Sequence, residues 1–456
     1  MTRVISVTCA RFVVLAVAGL VAHGGCSTIL AVREQQQRAD YNAVVSGTVS
    51  TEQAARGPLF VGILARDTSG FYLVDHFVSE KPGPWIFALA PGTYWLAACE
   101  DVNGDGRYDD EPALAPDPGK PVLLAPGQSV EGLDLLIPEQ GRFAGSFTVA
   151  DLETRDPAEQ RRVSAFKMSV AGKVATLDEP RFNREVGVKG MWQYYDFLLE
   201  TQPGIYFLQP YDPEKIPVLF VHGIGGSPSE FRYLVAALDR DRFQPWVFYY
   251  PSGAGLDALA ELLEQLFVRL RVEYRFKEAV VVAHSMGGLV TRAFLLKDYE
   301  RNGADVVHTF VTISSPLGGM KSAAAGVETS PIVVRSWYGL APGSPFLDGL
   351  FYKDSAKTER RRLPDSMSYH LLFGLVGKGS TDNVVSINSQ LRYEAQEEAR
   401  SMRGFLETHT SILESPKVAA RLNEILVETP PSNSVVKILT LGLMGNDKPA
   451  SNPQSR

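Results

Sequence analysis

Apolar and polar positions change rhythm along this 456-residue chain. From residue 43 to about 138 they alternate in short runs, at 44–49, 59–64, 70–74, 85–89, 93–98 and 133–137. Gly, Pro and Asp separate these runs. A side-chain period of two between such turns predicts short strands, folded into a small all-β, sandwich-like module over 43–140. Over 141–215 helical signal is scant. Residues 143–149 either close that module or open the next unit, and 171–177 and 205–208 are candidate first strands of a second sheet. From Ile216 nearly continuous apolar runs alternate with amphipathic ones. Strands are predicted at 216–221, 246–250, 279–283, 306–313 and 369–377, and helices at 228–238, 256–271, 286–296 and 417–427, the last opened by Pro416. Strands that are apolar throughout have both faces covered. Residues 216–428 therefore predict an α/β unit, a mostly parallel sheet with helices on both faces. Residues 314–364 interrupt this alternation as an insertion, and 429–456 form a tail.

Composition narrows the class. Apolar residues make up 45% and charged residues 21% of the chain, values of a folded globular protein too long for one core. The formal net charge of -7, spread along the chain, argues against a nucleic-acid partner. Residues 1–25 have the form of a secretory signal. Arg3 and Arg11 precede an apolar run at 12–22 that is too short to span a bilayer comfortably. The run ends at His23-Gly24-Gly25-Cys26. Small residues directly before a Cys resemble a bacterial lipoprotein signal, with His23 standing where an aliphatic residue is usual. The resemblance implies lipidation of Cys26, and Ser27 after it leans towards the outer membrane. The other reading is an ordinary signal cut nearby, giving a periplasmic or secreted protein. Of three Cys, Cys9 leaves with the signal and Cys26 is acylated, so Cys99 has no disulfide partner. Residues 26–42, polar in their second half, are a tether or short helix between lipid and body.

Within the β module, Pro91-Gly92-Thr93-Tyr94 before an apolar strand resembles the turn of transthyretin-like and carboxypeptidase-regulatory-like modules. Asp101, Asn103 and Asp105 alternate ahead of Gly106, as in the first half of a Ca²⁺ loop. The closing acidic residue comes one position early for an EF-hand. Two readings stand: a structural Ca²⁺, or an exposed Asp/Gly turn.

The candidate chemistry gathers at Ala283-His284-Ser285-Met286-Gly287-Gly288. A buried strand leads into Ser285 and a helix leaves it. This is the strand–turn–helix form of the nucleophile elbow, with small residues two before and two after the Ser to let strand and helix approach. Residues 216–427 resemble the α/β-hydrolase family, and within it the lipase- and esterase-like members. That resemblance implies the order Ser, acid, His. Of the seven His, only His308, His370 and His409 follow Ser285. The first two fall in or at strands, and His409 lies in a loop before the last helix, where the family carries its base. Asp382, in Thr381-Asp382-Asn383-Val384-Val385 after a strand, resembles the lipases' D-x-V-V acid; Asp365, before that strand, is its rival. The oxyanion donors implied are the backbone N–H groups of Met286 and of Ile224, the latter in His222-Gly223-Ile224-Gly225-Gly226. That Gly-rich loop lacks a P-loop Lys-Ser/Thr, which disfavours a phosphate site.

The insertion is rich in large apolar residues at 332–340 and 346–351. It reads either as a lid over an acyl pocket or as ordinary crossover packing. The expected activity is serine ester hydrolysis on lipid or another apolar ester, without a catalytic cofactor, at a membrane reached through Cys26. An acyltransferase or thioesterase with the same residues is the alternative. A non-catalytic envelope binding protein is disfavoured by the joint presence of Ser285, Asp382 and His409.

Overall fold

The computed structural model describes residues 25–68, 70–105, 111–142, 169–303, 305–377 and 379–428. The signal (1–24), the run 143–149 and the tail (429–456) lie outside them. Among the described residues no helix is long and apolar enough to cross a membrane.

All but the last of residues 26–42 belong to a 17-residue helix, Gly25–Tyr41. It is docked on the body. The Gln35 carboxamide donates to Asp196 Oδ2 at 2.8 Å and accepts the Asp196 backbone N–H at 2.9 Å. Asp40 pairs with Arg335, and Gln36 donates to the Val333 carbonyl.

Nine strands follow: β1 (Ala43–Thr51), β2 (Leu59–Asp67), β3 (Gly70–Ser79), β4 (Gly83–Leu89), β5 (Gly92–Glu100), β6 (Ala113–Leu114), β7 (Val122–Leu124), β8 (Ser129–Val130) and β9 (Leu135–Ile137). One sheet is built on β1, paired with β4, β8 and β9. The other runs β3-β2-β5-β6, with β7 also on β5. Val45, Trp85 and Phe87 of the first sheet and Val61, Ile63 and Phe77 of the second share one apolar cluster, so the two sheets face each other across it. The turn at Pro91 is closed by Tyr94 Oη, which donates to the Ala90 carbonyl at 2.7 Å.

A third sheet, that of the α/β unit, has eight strands: β10 (Val170–Val174), β11 (Gly204–Phe207), β12 (Ile216–Val221), β13 (Phe243–Tyr249), β14 (Ala279–His284), β15 (Val307–Ile313), β16 (Ser368–Gly374) and β17 (Ser401–Phe405). Their spatial order is β10-β11-β13-β12-β14-β15-β16-β17. The six strands from β12 onward are mutually parallel, and β10 and β11 run against them. Alternate residues feed two cores. Leu219, Val221, Trp246, Phe248, Val281 and Ala283 face helices Leu256–Tyr274 and Met286–Asn302. Val218, Phe220, Val247, Tyr249, Val280 and Val282 face helix Pro416–Glu428. Two covered faces explain the continuous apolar runs read in the sequence.

The sheet starts at Val170, with β10 and β11 falling at the candidate strands 171–177 and 205–208. Two further features depart from the sequence reading. Two helices, Arg184–Trp192 and Tyr194–Thr201, occupy a stretch read as poor in helix. Their apolar residues are interrupted by Gly187 and Gly190, which close packing requires and which weaken a helical pattern. Edge strand β17 carries Arg403 and Gly404 and has no alternation to betray it.

The β module and the α/β unit are joined by a buried ion cluster. The Arg271 guanidinium donates to Glu80 at 2.8 Å and, as a fork, to both Asp298 oxygens at 2.9 and 3.0 Å. Both Arg271 and Asp298 are buried. Arg271→Met leaves the Asp298 carboxylate without its cation, and the expected loss is about 3–5 kcal/mol in urea unfolding. A loss below about 1 kcal/mol would contradict the pairing's role.

Candidate active site

Ser285 sits between β14 and helix Met286–Asn302 with φ 53° and ψ -129°. A side chain reaches this region only under constraint. The constraint is local. The Ser285 N–H donates to the Ile313 carbonyl at 2.9 Å, and its carbonyl accepts the Gly288 N–H at 3.0 Å. A methyl at Gly287 would lie 2.4 Å from the Val221 oxygen and 2.5 Å from the His222 oxygen. Only glycine lets the helix start that close to the sheet.

His409 lies across from it. His409 Nε2 is 2.9 Å from Ser285 Oγ, and Nδ1 is 2.7 Å from Asp382 Oδ2. Asp382 is fully buried, and its other oxygen accepts the N–H groups of Val384 at 2.9 Å and Val385 at 2.7 Å. Burial opposes its ionisation. The His409 hydrogen bond and charge and the two backbone donors outweigh that, and hold its pKa below the usual carboxylate value. An ionised carboxylate only accepts, so the proton on His409 belongs on Nδ1, which leaves Nε2 free to accept from Ser285 Oγ. The Asp382 carbonyl also accepts the His409 N–H at 2.9 Å, which ties the two loops together. Asp365 is exposed at the opposite end of β16.

The loop after β12 presses against Ser285. A methyl at Gly223 would lie 2.7 Å from Ser285 Cβ. The Gly226 N–H closes a turn onto the Gly223 carbonyl at 3.1 Å, and the Gly225 N–H donates to Ser252 Oγ at 2.8 Å. Ile224 lies inside this turn. Neither its N–H nor that of Met286 donates to any group among the described residues.

Three supporting residues escaped the sequence reading. Ser252 follows β13 at the same sheet edge, and only the strand order brings it near. Tyr250 stacks on the buried His222 ring and donates to the His222 carbonyl. His284, set aside because it precedes the Ser, lies beside the His409 ring, and its Nε2 donates to the His409 carbonyl at 2.9 Å. Position next to Ser285 at a strand's C-terminal end was the available signal.

The insertion is packed, not free. Helices Lys321–Thr329, Arg335–Leu340 and Pro345–Gly349 send Ala323, Trp337, Leu340 and Leu347 into the main core, and Phe351 follows just after the third. Those side chains favour the crossover reading over a mobile lid.

The Ca²⁺ loop is described only in part, because residues 106–110 lie outside the described set. Asp101 is buried, and Asn103 and Asp105 are exposed. Asn103 Oδ1 accepts the Asp105 N–H at 2.8 Å, and Glu111 accepts the Asn103 N–H at 3.3 Å. Among the described residues no group of three or more His, Cys, Asp or Glu is placed to hold a metal ion. These bonds suit the turn reading.

Residues 218–417 match the family model for the alpha/beta hydrolase family, a span that takes in most of β12, all of β13 through β17 and the residues of this site. No curated protein matches the chain. Similar solved structures include the lin2722 gene product of Listeria innocua, at 17% identity and TM-score 0.37, over 48% of this chain and 96% of that one. Mature Bacillus licheniformis lipase BlEst2 aligns at 17% identity and TM-score 0.38, over 49% and 97%. Aspergillus fumigatus lipase B aligns at 16% and 0.37, over 50% and 56%. At such scores these likenesses carry no functional argument, and the geometry must.

Burial lowers the His284 pKa to about 3, with the neighbouring His409 adding to the effect. The unfolded group titrates near 6.5. The stability that a neutral His284 contributes is therefore present above pH 6.5 and lost as pH falls towards 3. In His284→Gln, the stability lost between pH 6 and 4 should be smaller than in the wild type by about 1.4 kcal/mol per pH unit. Urea unfolding at pH 6, 5 and 4 checks this, and parallel pH slopes for the two proteins would contradict it.

Proposed function

We propose that this protein is a serine ester hydrolase that acts through an acyl-enzyme on lipid or other apolar esters. The observation that carries the reading is the unbroken hydrogen-bond chain from Ser285 Oγ through His409 to buried Asp382. Ser285 Oγ attacks the ester carbonyl while His409 Nε2 takes its proton. Asp382 stabilises the imidazolium and holds the ring's orientation. The oxyanion accepts hydrogen bonds from the N–H groups of Ile224 and Met286, the second at a helix start that favours negative charge. His409 returns the proton to the leaving alcohol. Water, deprotonated by His409, then attacks the acyl-enzyme, and Ser285 leaves with the proton. Every step uses groups of this chain.

The apolar substrate class is supported by what surrounds the site. Leu406, three residues before His409, is 78% exposed, and Val384, beside Asp382, is 36% exposed. Apolar surface at that point suits a lipid phase or an acyl chain. The proposal includes a lipid anchor at Cys26, supported by the small residues directly before it.

One experiment tests both parts: p-nitrophenyl ester turnover in membrane and soluble fractions of cells expressing the wild type, Ser285→Ala, Asp382→Asn or Cys26→Ser. Wild-type activity should sediment with membranes. Ser285→Ala should have none, and Asp382→Asn should lose kcat on the order of 10⁴-fold. Cys26→Ser should keep its activity but release it to the soluble fraction. Wild-type turnover in Ser285→Ala would sink the hydrolase reading, and membrane-bound Cys26→Ser would sink the anchor.

A further inference from the structure

The loop after β12 carries a carboxylate that the reaction above does not use. Ser227-Pro228-Ser229-Glu230 leads into the short 3₁₀ turn Pro228–Phe231. The Glu230 carboxylate turns back towards the Ser227 backbone N–H, which acts to lower its pKa, as the acidic residue of a capping box does. The serine half of the box is missing, because Ser227 Oγ donates instead to the Phe182 carbonyl at 2.7 Å. Glu230 also lies against the oxyanion loop itself. A methyl at Gly226 would sit 2.6 Å from its Oε2 and 2.9 Å from its Oε1. The Gly226 carbonyl is wedged against helix Arg184–Trp192, where a methyl at Gly187 would lie 2.3 Å from it. The Gly226–Ser227 peptide is thus held between that helix and the Glu230 carboxylate. Gly226 is also the residue whose N–H closes the turn around Ile224.

We propose that Glu230 is a positioning residue. Its carboxylate fixes the Gly226–Ser227 peptide and so holds the Ile224 N–H where the oxyanion forms. This rests on the serine-hydrolase reading above. The charged and titratable groups beside Glu230 are Arg184, from the start of the facing helix, and Tyr250, after β13. Burial raises the Glu230 carboxyl to about 7, against the pull of Arg184 and the Ser227 N–H. Its charge, and with it the stronger hydrogen bond to the loop, is therefore lost over the same range in which a general base would be protonated.

The test is the pH dependence of kcat for p-nitrophenyl butyrate in the full-length protein and in Glu230→Gln, with Ser285→Ala as control. In the wild type, log kcat should fall on the acid side with a slope above one over its first tenfold loss, where Glu230 loses its charge as well, and settle to a slope of one below it. Glu230→Gln keeps the shape without the charge. It should lower kcat on the order of tenfold with KM within twofold, and its acid limb should have a slope of one throughout. A residue that is only a structural cap would lower Tm and leave the slope at its wild-type value, which overturns the proposal. If Glu230→Gln does not fold, the wild-type profile decides alone, and a slope of one throughout overturns the proposal. An active Ser285→Ala would remove the hydrolase reading and this inference with it. An inactive Ser285→Ala beside a Glu230→Gln of wild-type kcat and slope removes this inference only.

Discussion

Helix Met286–Asn302 meets the sheet through glycine, and the site depends on that approach. With Gly287 packed onto the carbonyls of Val221 and His222, the chain has one way to pass from β14 into the helix, through Ser285 at φ 53°. That conformation lifts Oγ off the sheet edge and leaves the Met286 N–H unspent at the helix start. It also brings the end of β12, and hence Gly223, into contact with Ser285. A larger residue at 287 would move Ser285, the helix terminus and the facing loop together.

Around this turn the protein buries several polar groups against partners, with His284 Nδ1 and the Ser314 and Ser315 hydroxyls as exceptions among the described residues. Asp382 is fully enclosed, yet each of its oxygens has a donor. His284 and His222 are held neutral, their pKa values lowered to about 3 and about 4 by burial. Each uses a ring nitrogen or its backbone carbonyl to fix a neighbour, His284 the His409 loop and His222 the Tyr250 ring. In such surroundings an ion pair formed during reaction is screened little by water, and fixed N–H groups act at greater strength. Order in the resting state is what the chemistry needs, because little has to reorganise when charge appears.

The sequence carried the parts of this arrangement that follow from local rules. Strands covered on both faces are apolar throughout, so β12 to β16 could be read. The elbow has a pentapeptide signature, and His409 and Asp382 could be chosen by chain order and loop position. What could not be read depends on strands crossing. β13 lies outside β12, so Ser252 and Tyr250 reach a loop that precedes them by some 25 residues. β10 and β11 could be picked out as candidate strands, and their antiparallel place at the sheet's edge comes from the pairing of β10 with β11 and of β11 with β13. Helix Arg184–Trp192 was hidden by the glycines that let it touch the Gly226 carbonyl. The insertion's apolar residues suited a lid and a packed crossover equally in sequence; their enclosure with helix Leu256–Tyr274 favours the second.

The central claim is that His409 activates Ser285 as a nucleophile. Mass spectrometry of the intact, folded protein after treatment with an alkyl fluorophosphonate, followed by peptide mapping, tests it most directly. One adduct should form, on the peptide that contains Ser285, in the wild type, and it should be abolished in His409→Ala. An unmodified Ser285, or one labelled as fast in His409→Ala as in the wild type, would contradict the claim.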